Sequence, residues 1–249
     1  MSGHAAVDEE DELVSPQVSG ARANQLALQE AIKELIVDRG LAPGTLLPTE
    51  AELMTELGVS RHPLREAIKA LEAIGIVEIR HGYGTYVGSL SLSALQAGLA
   101  FRSARSMKGD LREIRNLLEV REVLEAGLVS RVLRSYPELD LERLAAAVVE
   151  MESAARSGEY APDADWRFHE TLYQSLGNTL VLDLLRVFWT VFNDLDGELP
   201  RGEGTPEVTA RWHRDIYEAL RARDEHALRA AMDEHFRGIR ERVAGSVDP

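Results

Sequence analysis

Between Arg22 and Val87 the chain is punctuated so closely that few folded paths remain open to it. A stretch over 22–39 carries Leu26, Leu28, Ile32, Leu35 and Ile36 mainly on one helical stripe and stops at Gly40. Leu41-Ala42-Pro43-Gly44 reads as a turn. Pro48 then precedes Thr49-Glu50-Ala51-Glu52, a capping box in which the Thr49 hydroxyl accepts from the Glu52 N–H while the Glu52 carboxylate reaches back. This short helix ends at Leu57-Gly58. Ser60 is placed to cap a third helix, with Pro63 tolerated in its first turn. Leu64, Ala67, Ile68, Leu71 and Ile74 form the expected buried face, and Gly75 ends the helix. Residues 76–80 read as a strand, His81-Gly82-Tyr83-Gly84 as a turn with two glycines able to take positive φ, and 85–87 as the return strand. Three helices and a hairpin predict a winged helix-turn-helix over 21–88.

Gly88-Ser89-Leu90-Ser91 reads as a short linker. Beyond it there is no convincing strand. Helical runs fit about 92–105, 110–135, 140–157, 163–176, 179–196, 206–222 and 225–243, interrupted by glycines, prolines and Asp224. The expected fold class is therefore mainly α: the winged helix-turn-helix in front and an all-α bundle of six or seven helices over 93–245. Residues 1–20 hold five acids and no base and few large apolar groups, so a disordered acidic tail is expected there.

The chain has 249 residues and no cysteine, which excludes disulfides, thiolate nucleophiles and Cys-ligated zinc. It shows no apolar run of membrane-spanning length and no signal-peptide pattern, so a cytoplasmic protein without a membrane partner is expected. Net charge is −14, which taken globally argues against nucleic acid. The distribution of charge along the chain argues the other way. Residues 60–86 hold Arg61, Arg65, Lys69 and Arg80 against three acids, with His62 and His81 besides. Duplex DNA needs cations only where its phosphates lie.

Arg61, Arg65 and Lys69 are spaced i, i+4, i+8 and line one face of the third helix, opposite Leu64, Ile68 and Leu71. His62 sits one step round. In a helix-turn-helix the second helix of the motif enters the major groove, where an arginine can pair bidentately with guanine. The Ser60 hydroxyl and nearby N–H groups suit a phosphate. The tip His81-Gly82-Tyr83-Gly84 is narrow enough to approach a minor groove or the backbone. A solvated charged helix face is the alternative reading of the same charges.

In the bundle, Asp165 and His169 are i, i+4 on one helix face. His213 and His235 lie equally far before and after Asp224, so an antiparallel hairpin folded there brings them level. One carboxylate and three imidazoles suit Zn²⁺, Ni²⁺, Fe²⁺ or Mn²⁺, with positions open to water or a ligand. The alternative is three hydrogen-bonded core histidines and a helix-surface Asp–His pair.

Residues 26–88 resemble the winged-helix domain of the GntR family of bacterial transcription regulators. The resemblance rests on Leu46-Leu47-Pro48-Thr49-Glu50-Ala51-Glu52-Leu53, on Leu57-Gly58-Val59-Ser60-Arg61-His62-Pro63-Leu64-Arg65-Glu66-Ala67, and on Gly82-Tyr83-Gly84-Thr85-Tyr86-Val87. It implies that Ser60, Arg61, Arg65, His81 and Gly82 touch an operator. Ala51 stands where some members carry an arginine, which removes a base contact, and His62 stands where threonine is common. Residues 93–243 resemble the FCD effector domain of the FadR-like subfamily, through Leu118-Glu119-Val120-Arg121, Asp165-Trp166-Arg167-Phe168-His169, Trp212-His213-Arg214-Asp215 and Met232-Asp233-Glu234-His235. That resemblance implies Asp165, His169, His213 and His235 as ligands of a divalent metal, with a small organic acid bound beside it. Arg121 becomes the candidate to hold the acid's carboxylate, or alternatively pairs with Glu125. Asn193 is a further candidate for the cavity, while Phe188, Trp189 and Phe192 are expected in the core or a dimer contact.

The expectation is a regulator, a repressor, that binds a two-fold operator as a homodimer and responds to a small carboxylate. Two rivals stand beside it: a helical-bundle metalloenzyme, for which no motif supplies a further base or nucleophile, and a DNA-binding protein whose metal is purely structural.

Overall fold

The computed structural model of the chain describes residues 16–199 and 204–244. The chain divides between Ser91 and Leu92 into two compact units. The first holds α1 (Pro16–Asp38), α2 (Glu50–Leu57), α3 (Arg61–Ala73), β1 (Val77–Arg80) and β2 (Gly84–Val87). Helix α1 begins six residues before the position read from periodicity. Proline suits a first helical turn, where its missing N–H breaks no bond. The tail expected over 1–20 is therefore helical from Pro16 onward, and residues 1–15 lie outside the described residues.

Thr49 and Glu52 form the expected capping box, with Thr49 N–H donating to Glu52 Oε2 at 2.8 Å and Glu52 N–H to Thr49 Oγ1 at 3.3 Å. Gly58 then ends α2 at φ 65°. Leu64, Ala67, Ile68 and Leu71 of α3 pack with Leu28, Ile32, Leu35 and Ile36 of α1 in one apolar core. Three expectations are corrected. Ser60 occupies the N-cap of α3, but its hydroxyl makes no capping bond. Ile74 is exposed because it is already the C-cap, out of helical register. Leu26 is exposed as well, since it lies roughly 160° round α1 from Leu28 at 3.6 residues per turn.

β1 and β2 pair antiparallel, Val77 opposite Val87 and Arg80 opposite Gly84. Gly44, read as the last residue of the turn, and residues 45–47 after it add an edge. Leu47 N–H donates to Thr85 O, and Val87 N–H to Thr45 O, each at 2.8 Å. Gly88 follows directly. A Cβ there would stand 2.2 Å from the Gly75 carbonyl oxygen, a backbone atom that cannot swing aside. Gly88→Ala is expected to destabilise this unit by about 2 kcal/mol. Thermal unfolding read on this unit would show it, and an unchanged midpoint would discard the steric account.

The second unit is all helical among the described residues: α4 (Ser93–Ser106), α5 (Arg112–Arg134), α6 (Leu141–Ala155), α7 (Pro162–Gln174), α8 (Thr179–Leu195), α9 (Pro206–Ala222), α10 (Glu225–His235) and α11 (Arg237–Ala244), with a short 3-10 turn at Tyr136–Glu138. Asp140, Asn178, Thr205 and Asp224 cap α6, α8, α9 and α10 with side-chain oxygens. Ile114, Leu144, Phe168, Leu172, Ile216 and Leu220 lie at the centre of the core. α6 packs on α7 and α9, α9 on α10, and α10 on α5. The single helix expected over 225–243 is corrected to two, parted at Phe236. Just past that break the chain runs against the Trp212 ring, close enough that a Cβ on Gly238 would stand 2.7 Å from it. No described helix is long and apolar enough to cross a membrane.

Candidate metal centre and nucleic-acid interface

The reversal at Asp224 brings α9 and α10 side by side, and His213 and His235 stand level with ring centroids 4.7 Å apart. α7 supplies the other pair. Asp165 and His169 share one face of that helix, and both are buried. One ligand atom from each of Asp165, His169, His213 and His235 lies within 4.8 Å of the other three. His213 Nε2 is 3.3 Å from both His169 Nε2 and Asp165 Oδ2, and His169 Nε2 is 3.9 Å from Asp165 Oδ1. These separations are close to what one first-row divalent ion sets between donors bound at ~2.1 Å.

The chemistry of the donors agrees with the spacing. His213 Nδ1–H donates to the Thr209 carbonyl at 2.8 Å, which leaves the Nε2 lone pair aimed at the cluster. Burial pushes the His169 imidazole down to about 4, against the pull of Asp165 and Glu125. His235 is pushed well below its ordinary value by burial and by the neighbouring histidines and Arg121. Burial works against ionising Asp165, but the histidines around it, His213 foremost, together outweigh that and hold the carboxyl below the usual range. Burial thus disfavours a proton on His169 and His235, and unprotonated imidazole nitrogens beside an ionised carboxylate are what a metal needs. His169 Nδ1 and His235 Nδ1 are buried without a hydrogen-bond partner, as groups are whose orienting contacts await a ligand. The residues fit a divalent cation.

A cavity of about 720 Å³ opens beside this cluster, within the usual range for small-molecule sites. Asp165 and His235 line it, and so do Arg121 and Asn193. Arg121 is 7% exposed, lies over the rings of Phe192 and Phe236 at 5.9 and 5.2 Å, and gives its Nε–H to Glu125 Oε1 at 2.7 Å. Arg121 thus makes the ion pair with Glu125 and also lines the cavity. Phe188 and Phe192 are core residues. Trp189 is not. It lines the cavity and donates its indole N–H to Asp165 Oδ1 at 2.6 Å. Tyr160 also lines the cavity, with Asp165. Neither was readable from spacing, because each reaches the cavity from a different element.

In the first unit, Arg61, His62, Arg65 and Lys69 are all exposed along α3, opposite its buried face. Ser60 is exposed at the helix start, and His81 and Gly82 at the hairpin tip, where Gly82 and Gly84 take φ 81° and 112°. Arg61 and Arg65 share a partner that sequence reasoning passed over, Glu50. Arg65 Nε–H reaches both oxygens of Glu50, at 2.8 and 3.1 Å, and Arg61 approaches the same carboxylate at 3.9 Å. Lys69 pairs with Glu66.

Residues 24–87 match the family described as bacterial regulatory proteins, gntR family, and residues 116–238 match the FCD domain. The chain is 31% identical to the HTH-type transcriptional regulator LutR of Bacillus subtilis over 85% of its own length and 97% of that protein's. It is 29% identical to the uncharacterized HTH-type transcriptional regulator YcbG of the same organism, over 88% and 89%. A solved structure, Streptococcus agalactiae GntR, superposes with a TM-score of 0.63 at 27% identity, covering 87% of this chain and 98% of that one. With these matches, the winged helix-turn-helix and the helical unit are those of a DNA-binding transcriptional regulator rather than an enzyme, and the chain belongs to the GntR family of bacterial regulatory proteins, with an FCD domain.

Proposed function

We propose that this regulator is a repressor whose helical unit binds a divalent cation and, beside it, a small organic carboxylate that controls DNA binding. The observation that carries the reading is the opening of Arg121 and Asn193 onto the same cavity as Asp165 and His235 of the four-donor cluster. Asp165, His169, His213 and His235 would hold the cation, one of Zn²⁺, Ni²⁺, Fe²⁺ or Mn²⁺. Bound there it would supply Lewis-acid contacts to an anion. Arg121 would take the carboxylate through the part of its fork not given to Glu125, with Asn193 on the ligand's polar groups. Ser60, Arg61, His62, Arg65, Lys69, His81 and Gly82 would meet the operator. A homodimer would set two such heads on a two-fold symmetric site. The carboxylate would regulate by binding two states of the protein with unequal affinity, a coupling of about 1–3 kcal/mol in typical cases.

The test is calorimetry on the metal-loaded chain with acetate, lactate, malonate, citrate and gluconate. At least one is expected to bind. Arg121→Lys, which loses the planar fork, is expected to weaken that ligand about 10–100-fold, the range for a hydrogen bond to a charged group, while metal content holds. Silence across the panel with metal present would favour a purely structural ion.

A further inference from the structure

We infer that Glu125 is the positioning residue that orients His169 for the metal and ties the metal centre to the carboxylate-binding arm. The inference rests on the metal and carboxylate sites proposed above. Glu125 lies one helical turn after Arg121 on α5 and is 1% exposed. A carboxylate buried so deeply persists only where donors surround it. Here Oε1 accepts from Arg121 Nε at 2.7 Å, and Oε2 accepts from the Tyr173 hydroxyl at 2.5 Å. The third neighbour is His169, whose Nδ1 stands 4.0 Å from Oε2 and has no hydrogen-bond partner.

That gap is the informative feature. His169 turns Nε2 toward Asp165 and His213. A neutral imidazole that offers the Nε2 lone pair must carry its proton on Nδ1. In His213 the equivalent proton already has its acceptor, the Thr209 carbonyl. In His169 the buried Nδ1 faces Glu125 Oε2 from about 1 Å beyond hydrogen-bond length. Metal-bound histidines are usually fixed by such a contact to a carboxylate or carbonyl. Glu125 Oε2 is thus shared between Tyr173, which holds it now, and His169, which needs it when the metal is bound.

The other oxygen gives the sharing a consequence. A carboxylate ligand that draws Arg121 toward the cavity loosens its hold on Oε1 and frees Glu125 to lean toward His169. The ligand therefore tightens the metal, and by reciprocity the metal tightens the ligand by the same factor.

The experiment measures the Zn²⁺ dissociation constant of the full chain by chelator competition. Glu125→Gln keeps the shape but offers His169 a weaker acceptor, and it is expected to weaken Zn²⁺ about 10–100-fold, the range for outer-shell partners of a metal ligand. Tyr173→Phe removes the competing donor and is expected to leave Zn²⁺ binding equal or tighter. A role confined to packing would weaken Zn²⁺ in both variants, and that result would overturn the inference. Should Glu125→Gln fail to fold, Tyr173→Phe decides by itself, since weaker Zn²⁺ there has no place in this account. Unchanged Zn²⁺ in Glu125→Gln, with Zn²⁺ lost in His213→Ala, removes this inference alone. Zn²⁺ retained in His213→Ala removes the four-ligand centre and the inference with it.

Discussion

His213→Ala is expected to abolish binding of the proposed metal in the helical unit. The His213 ring is fully buried, is aimed by the Thr209 carbonyl, and stands 3.3 Å from two of the other donors. Removing it leaves three donors spread round a hole, so affinity should fall by more than the ~10–100-fold typical of losing an outer-shell partner. The consequence for stability is correspondingly large. A ligand at a thousand times its dissociation constant stabilises the state that binds it by about 4 kcal/mol. For a unit of this size that is a rise in Tm of about 8–16 °C. Wild-type protein should therefore show a high Tm with metal and a lower one after chelation. His213→Ala should show one Tm, indifferent to chelator. Metal analysis of the purified protein and variant gives the same answer independently. A variant that keeps both its metal content and its chelator-sensitive Tm would remove His213 from the ligand set.

Why that centre was legible in sequence, while much around it was not, follows from how the donors are spaced. Asp165 and His169 sit one helical turn apart, and His213 and His235 are symmetric about the Asp224 cap. Local periodicity and one hairpin therefore suffice to bring four groups together. The head was legible for a similar reason, since Thr49, Glu52, Gly58 and Gly75 act on backbone within a turn of themselves. The misses depend on angular register between distant elements. Glu125 and Tyr173 meet across α5 and α7, and Trp189 reaches Asp165 from α8. The edge at 44–47 pairs with β2, some forty residues on. The parting of α10 from α11 comes where Gly238 slides under Trp212. No pattern within a single segment encodes such contacts. Leu26 and Ile74 failed for a simpler reason: apolar character placed them on a face that helical geometry denies them.

The acidic balance of the chain makes the second large effect sharp, because few cations stand where DNA would lie. Arg65→Ala is expected to lower operator affinity at least tenfold with the fold intact, and a dimer would feel the loss twice. The fold should survive because Arg65 is exposed and its pair with Glu50 is a surface ion pair, a class that contributes little to stability. The same pair shapes the result. Glu50 holds the guanidinium by Nε and also lies 3.9 Å from Arg61, so one carboxylate orders both arginines. Base reading and phosphate holding then separate by experiment. If Arg65 reads a base, its loss should fall on one operator position and leave non-specific binding nearly unchanged. If Lys69 meets a phosphate, Lys69→Ala should weaken all sequences alike and reduce the salt slope by about one for each phosphate left unneutralised. Fluorescence anisotropy at several fixed salt concentrations, on operator and scrambled duplex, distinguishes the two. Wild-type affinity in Arg65→Ala would discard that residue's role, and equal loss on both duplexes would reassign it from the base edge to the backbone.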